Sequence, residues 1–208
     1  MIRISKSISK IISSSSPAKS TNKIMSLNLQ KESCTYTSCY CEENVYKLTE
    51  KIVKESSENF DSYKVLFLSN QTEAFPIWKM KLGDFVMWDY HVILFNVNTK
   101  EIYDLDSTIE GFPVPAEKYF RESLHYPEEF IEKYVQHIRV VDSEFYLSDF
   151  ASDRSHMKQH FDQSPPPKYP CIVNKVGEFN NLDHYRKFKD DNKGEILTRD
   201  QFYEKFIK

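Results

Sequence analysis

Apolar residues recur along this chain at two periods, and the periods mark out its elements. From Cys41, the positions Val45, Leu48, Ile52 and Val53 fall on one helical stripe, which predicts a helix over 41–55. KVLFLS (64–69) and FPIWKM (75–80) are short apolar runs of strand character, the second with Pro76 near its start, where a missing donor is tolerable. FVMWDYHVILFNV (85–97) is apolar on both parities, which predicts one strand buried on both faces, broken on one face only by Asp89 and His91. A turn at Asn98-Thr99 then returns the chain along KEIYDLD (100–106) as the second strand of a hairpin.

Further on, EKYFRESLHYPEEFIEKYVQH (117–137) reads as two short helices split near Pro127, and IRVVDSEFYL (138–147) as another strand. Residues 148–170 are polar and end in a proline run, too long a stretch for an idle connection. Thr198 before RDQFYEKF is an N-cap for a C-terminal helix. The sum is an α+β chain, a helix packed on an antiparallel sheet, without internal repeats.

Composition narrows the classes of function. With 208 residues and 40% hydrophobic content, the chain is long enough for one well-filled core. Four glycines and neither GxGxxG nor GxxxxGK[ST] argue against a glycine-rich phosphate cradle. No apolar run approaches membrane-spanning length. Charge is uneven: residues 1–30 carry Arg3, Lys6, Lys10, Lys19 and Lys23 and no acid. The chain is −3 overall, so removing that +5 leaves −8 for the remainder. An acidic body is poorly suited to nucleic acid, whose binding depends on phosphate neutralisation. The expected partners therefore include neither nucleic acid nor a membrane. The serine-rich basic segment 1–30 reads as a disordered tail or a transit peptide, with a single domain over 31–208.

The candidate chemistry centres on SCYCEENVYKL (38–48). Cys34, Cys39, Cys41 and Cys171 follow no secretory signal, so free thiols are expected rather than disulfides. Cys41 at a helix start would feel the positive end of the helix dipole, whereas Glu42 and Glu43 oppose thiolate formation. If the hairpin closes at Asn98-Thr99, paired residue numbers sum to 197. His91, Asp104 and Asp106 then project from one face, close enough for either acid to orient the imidazole. These patterns alone leave other readings open. Cys41 fits an inert core thiol, His91 a satisfied core histidine, and the four cysteines an irregular zinc set, C-x4-C-x-C plus a distant fourth.

Resemblance adds what spacing does not. CTYTSCYCEENVYKL (34–48), FPIWKMKLGDFVMWDYHVILF (75–95), IYDLD (102–106), FASDRSHM (150–157) and PPPKYPCI (165–172) together resemble the eukaryotic protein N-terminal glutamine amidohydrolase family. The resemblance implies a papain-like or transglutaminase-like fold. It implies hydrolysis of the side-chain amide of an N-terminal glutamine, upstream of N-terminal arginylation and degradation, without cofactor or metal. By motif, the cysteine of YCEEN is Cys41, the histidine of WDYHV is His91, and the first aspartate of YDLD is Asp104, which implies a Cys–His–Asp triad. A free substrate α-amine needs an acidic partner, for which Glu42, Glu43, Asp89 and Asp153 are candidates. Ser152, Asp153, Arg154 and His156 form a candidate pocket wall. Proteins or peptides with free N-terminal glutamine are the expected partners of a monomer. The expected location is the cytoplasm or nucleus, with mitochondrial import through residues 1–30 as the minor alternative. The rival readings are a zinc-stabilised module that binds N-termini without turnover, and a papain-like peptidase or transglutaminase.

Overall fold

In the computed structural model, residues 29–55, 60–125, 132–189 and 193–208 are described, and the tail expected over 1–28 lies outside them. Helix α1 spans Cys41–Glu55, as its stripe predicts, with one change of membership. Val45, Leu48, Thr49 and Ile52 are buried, and Val53 faces outward. Thr49 is tolerated inside because its hydroxyl donates to the Val45 carbonyl one turn back, at 2.8 Å.

Strands β1 (Tyr63–Ser69), β4 (His91–Asn96), β5 (Glu101–Tyr103), β6 (Val114–Pro115), β7 (His137–Asp142) and β8 (Glu195–Thr198) form a six-stranded sheet in the order β6-β5-β4-β1-β7-β8. Every pairing in it is antiparallel. The central strands β1 and β4 are apolar on both parities because both faces of the sheet are covered. Val65, Phe67, Val92 and Leu94 pack with α1 on one side. Leu66, Leu68, Ile93 and Phe95 pack on the other with Phe120 of α2 (Ala116–Glu122) and Phe202 of α5 (Arg199–Phe202).

Three sequence readings are corrected. The run 85–97 is two strands, not one: β3 (Gly83–Trp88) pairs with β2 (Phe75–Met80) in a separate two-stranded sheet, and the chain bends before β4. The bend is held where Asp89 Oδ1 accepts from the Tyr90 amide and Ser69 Oγ donates to the Asp89 carbonyl. The apolar side chains of β3 are half-exposed while those of β4 are buried, so one apolar run serves two environments. The strand expected over 138–147 stops at Asp142 and continues as helix α3 (Ser143–Asp149), whose Tyr146 packs inward while Phe145 faces out. The returning strand expected over 100–106 ends at Tyr103.

The hairpin register is the expected one, with Leu94 opposite Tyr103 and Asn96 opposite Glu101, but its loop is four residues long, with Lys100 at φ 54°. The split near Pro127 lies outside the described residues, between α2 and a 3₁₀ turn at Glu132–Tyr134. Thr198 caps α5 through a reciprocal capping box with Gln201. A short helix, α4 (Leu182–Arg186), was not legible in the sequence pattern.

Candidate active site

Three adjoining segments bring the candidate residues together: the start of α1, the first residue of β4 and the bend after β5. Asn44 builds the first. Buried, its side chain accepts from the Thr37 amide and donates to the Thr37 carbonyl, both at 2.8 Å. That clamp holds the turn in which Cys39 adopts φ 68°, a conformation costly for a non-glycine residue. The Asn of CEEN thus sets the approach to Cys41.

Cys41 and His91 line one cavity of about 490 Å³, together with Cys39, Trp88, Asp89, Tyr90, Asp106, His156 and Arg186, among others. His91 is buried, and its Nε2 stands 3.1 Å from Asp104 Oδ1. The ring nitrogen lies off the line of an aligned hydrogen bond to that oxygen, so the contact is a close electrostatic approach that becomes an ion pair when the imidazole is protonated. Trp88 covers the imidazole with its ring 4.7 Å away. Asp104 is held from two further sides: Oδ1 accepts from the Asp106 amide at 2.8 Å and Oδ2 from the Tyr119 hydroxyl at 2.7 Å. Asp106 accepts instead from Tyr36 at 2.6 Å. The register thus delivers both aspartates to the histidine, and the bend after Tyr103 selects Asp104 as its contact.

Electrostatics follow from these contacts. Burial disfavours a charged His91, but the Asp104 carboxylate, aided by Asp106 and Glu42, outweighs it and raises the imidazole above its ordinary range. Asp104 is likewise burdened by burial, yet His91 and Tyr119 hold it below the usual carboxylate range. The Cys41 thiol is pushed up by burial and by Glu42, with an opposing contribution from the Val92 backbone amide. Its sulfur donates to Glu42 Oε2 at 3.6 Å. The helix dipole expected to lower this thiol is therefore outweighed.

The other sequence candidates divide. Asp89 and His156 line the cavity. Glu42 is wholly buried behind it, and burial lifts its carboxyl to about 7. Glu43 and Arg154 do not line it. They form a buried bidentate pair, Nε to Oε1 and Nη2 to Oε2 at 2.8 Å each, and Arg154 also donates to the Pro167 carbonyl at 3.1 Å. This pair fastens the proline run and the 3₁₀ helix Ser155–His160 to α1, and so aims His156. Ser152 is buried in a bridge to Ile172, and Asp153 caps Ser155 through its amide at 2.9 Å, so neither reaches the cavity. Sequence reasoning missed Tyr119, Tyr36, Trp88, Tyr90 and Asn44; all but Tyr119 lie inside motifs that flagged the region.

The four cysteines are free and, among the described residues, not gathered into a metal-ligating group, which removes the basis of the irregular zinc set. His91, Asp104 and Asp106 do offer ligand atoms within 4.8 Å of one another.

Helices packed on an antiparallel six-stranded sheet, with Cys41 at the start of α1 against β4, give an α+β fold of the papain-like or transglutaminase-like kind. The sequence matches the N-terminal glutamine amidase family over residues 36–206, and the chain belongs to that family of amidohydrolases. It is 36% identical over 184 residues to protein N-terminal glutamine amidohydrolase of Bos taurus, covering 85% of this chain and 88% of that one. Against the Danio rerio protein of the same name it is 39% identical over 181 residues, 83% of this chain and 89% of the other. Against the Homo sapiens protein it is 35% identical over 184 residues, 85% and 89%.

Proposed function

We propose that this chain hydrolyses the side-chain carboxamide of an N-terminal glutamine to glutamate, releasing ammonia, with Cys41 as nucleophile, His91 as acid–base and Asp104 as the group that orients the imidazole. The observation that carries the assignment is the sharing of one cavity by Cys41 and His91, with His91 Nε2 turned to Asp104. Nδ1 is then the ring nitrogen left for the reacting atoms.

Cys41 passes its proton to His91 as its sulfur bonds to the carboxamide carbon, and the Cys41 backbone N–H at the helix start stabilises the oxyanion. The C–N bond breaks with the His91 proton going to nitrogen, because amide nitrogen leaves badly unprotonated. A γ-glutamyl thioester remains. His91 then takes a proton from water, the hydroxide adds to the thioester carbonyl, and the thiol leaves reprotonated. The raised thiol fits this order, in which the proton leaves Cys41 only as its sulfur attacks. No cofactor enters the scheme. Its product, N-terminal glutamate, would feed N-terminal arginylation and degradation.

Four peptides sharing one body test the reading: N-terminal Gln, N-terminal Asn, N-acetylated Gln and internal Gln. Ammonia is expected from the first alone, with the mass rising by the difference between a carboxyl and a carboxamide. Asn is a methylene short, and a misplacement of about 1 Å at the reacting carbon costs roughly 10²-fold. Turnover of the acetylated or internal substrate at a comparable rate would make this a general glutaminase or transglutaminase. Peptide-bond cleavage would make it a peptidase.

A further inference from the structure

Glu42 does more than follow the nucleophile in sequence. Its carboxylate is wholly buried, and Oε2 is engaged by the Tyr90 hydroxyl at 3.0 Å and the Cys41 thiol at 3.6 Å. Oε1 has no hydrogen-bond partner. His156 Nε2 stands 3.5 Å from it, without the alignment of a hydrogen bond. Burial, seconded by Arg186, holds His156 below the usual imidazole range, so it supplies no compensating cation. A buried carboxylate with one open oxygen and no paired cation costs stability that a structural role does not explain.

The remaining acids around the cavity are already committed. Asp89 is half-exposed and paired with Arg186 at 3.2 Å, where water screens its charge. Asp106 accepts from Tyr36 and lies against the His91–Asp104 pair. Glu43 is spent on Arg154. Glu42 alone combines negative charge, an open oxygen and proximity to the reacting sulfur.

We propose that Glu42 is the receptor for the substrate's α-ammonium group and therefore sets the requirement for a free N-terminus. This rests on the function proposed above and names a specificity residue within it. The geometry matches a glutamine: an extended side chain separates the α-nitrogen from the carboxamide carbon by about 5 Å. With Oε2 beside the sulfur, Oε1 lies on the His156 side, where that nitrogen would arrive. His156 lines the cavity in front of Oε1 and stands where the ammonium must sit. Binding in this way requires the His156 side chain to turn aside on substrate entry, so that the ammonium takes the place of the imidazole in front of Oε1.

The test compares two substrates in the full-length protein: a Gln-initiated peptide and its desamino analogue, identical but with hydrogen in place of the α-amine. In the wild type the ratio of kcat/KM between them should be about 10²-fold in favour of the amine, the loss expected when a buried charge goes unpaired. Glu42→Gln should bring that ratio to within a few-fold, mainly by loss on the amine substrate. Asp89→Asn should leave it near the wild-type value.

An unchanged ratio in Glu42→Gln overturns the proposal, as does a collapse of the ratio in Asp89→Asn instead. Equal loss on both substrates in Glu42→Gln overturns it too, because that pattern belongs to a residue of the chemistry. If Glu42→Gln does not fold, Glu42→Asp keeps the charge but withdraws it by a methylene. A reduced ratio there supports the assignment, and an unchanged one overturns it. Failure of the wild type to release ammonia from the Gln peptide would instead defeat the parent reading.

Discussion

Tyr119 donates its hydroxyl to Asp104 Oδ2 at 2.7 Å while the other oxygen of that carboxylate faces His91 Nε2 at 3.1 Å. A phenol from α2 thus braces a carboxylate from the β5 bend against an imidazole on β4. The brace orders the sensitivities of the site. Asp104→Asn should reduce kcat/KM for the Gln peptide by about 10⁴-fold, the loss expected when an imidazole is offered in the wrong tautomer. Tyr119→Phe removes one hydrogen bond to a charged group and should cost roughly 10- to 10²-fold. Asp106→Asn should cost much less than Asp104→Asn, and a reversal of the two aspartates would reassign the orienting acid. The acid limb of the wild-type pH–rate profile should lie above the ordinary imidazole value. In Asp104→Asn it should move down, because the charge that outweighs burial is gone.

The two cavity thiols should separate cleanly. Cys41→Ala is expected to abolish ammonia release without loss of cooperative melting, since a thiol at a cavity wall supports little packing. Cys39, half-exposed with Ser38 and Ser164 hydroxyls near its sulfur, should be replaceable by Ala with most activity kept. Loss of activity in a folded Cys39→Ala equal to that in Cys41→Ala would move the nucleophile.

Glu43 and Arg154 form a buried pair, so removing one partner strands the other. Arg154→Met or Glu43→Gln alone should destabilise by about 3–5 kcal/mol in chemical denaturation, and the double replacement by less than the sum. Because the pair aims the helix that carries His156, either single variant should also lower kcat/KM.

Glu42 supplies a pH prediction whose sign is fixed by its raised carboxyl, at about 7 in the folded protein. An acid raised on folding favours the protonated native state, so its ionisation weakens the fold. The wild type should lose stability relative to Glu42→Gln as pH rises from about 4.5 to about 7, and the gap should level off above that. At pH 8 the variant should be the more stable by at most about 3 kcal/mol. Parallel denaturation curves for the two proteins across that range would remove the strained carboxylate. A more stable but impaired Glu42→Gln is the exchange expected of a functional residue.

Local order in this chain is written where one period decides it. The stripe Val45, Leu48, Ile52 set α1, the flanking polar pair set the Thr198 cap, and the parity of 91–97 against 100–106 set a register that brings His91 and both aspartates together. The motifs also flagged the Cys41 and His91 neighbourhoods. Periodicity failed where a run satisfies two environments at once: 85–97 reads as one buried strand, because nothing in its apolar alternation records that Asp89 and Ser69 bend the chain into a second sheet. It failed again over 143–149, where FYL suits a strand as well as a helix and only the packing of Tyr146 and Phe150 around Tyr185 decides.

By itself, then, the sequence determined the fold class, the helix that carries Cys41 and the hairpin that brings His91 and Asp104 together. Tertiary structure decided which partner each acid meets. Asp104 and Asp106 are equivalent by parity and are told apart by a bend and by the hydroxyls of Tyr119 and Tyr36, the first 15 positions from Asp104 and the second 70 from Asp106. Glu42 and Glu43 are adjacent and chemically alike, yet successive residues on a helix point about 100° apart. One therefore meets Arg154 from the far loop, and the other is left behind the cavity with an open oxygen. Such pairings depend on contacts across long stretches of chain, which no local pattern encodes.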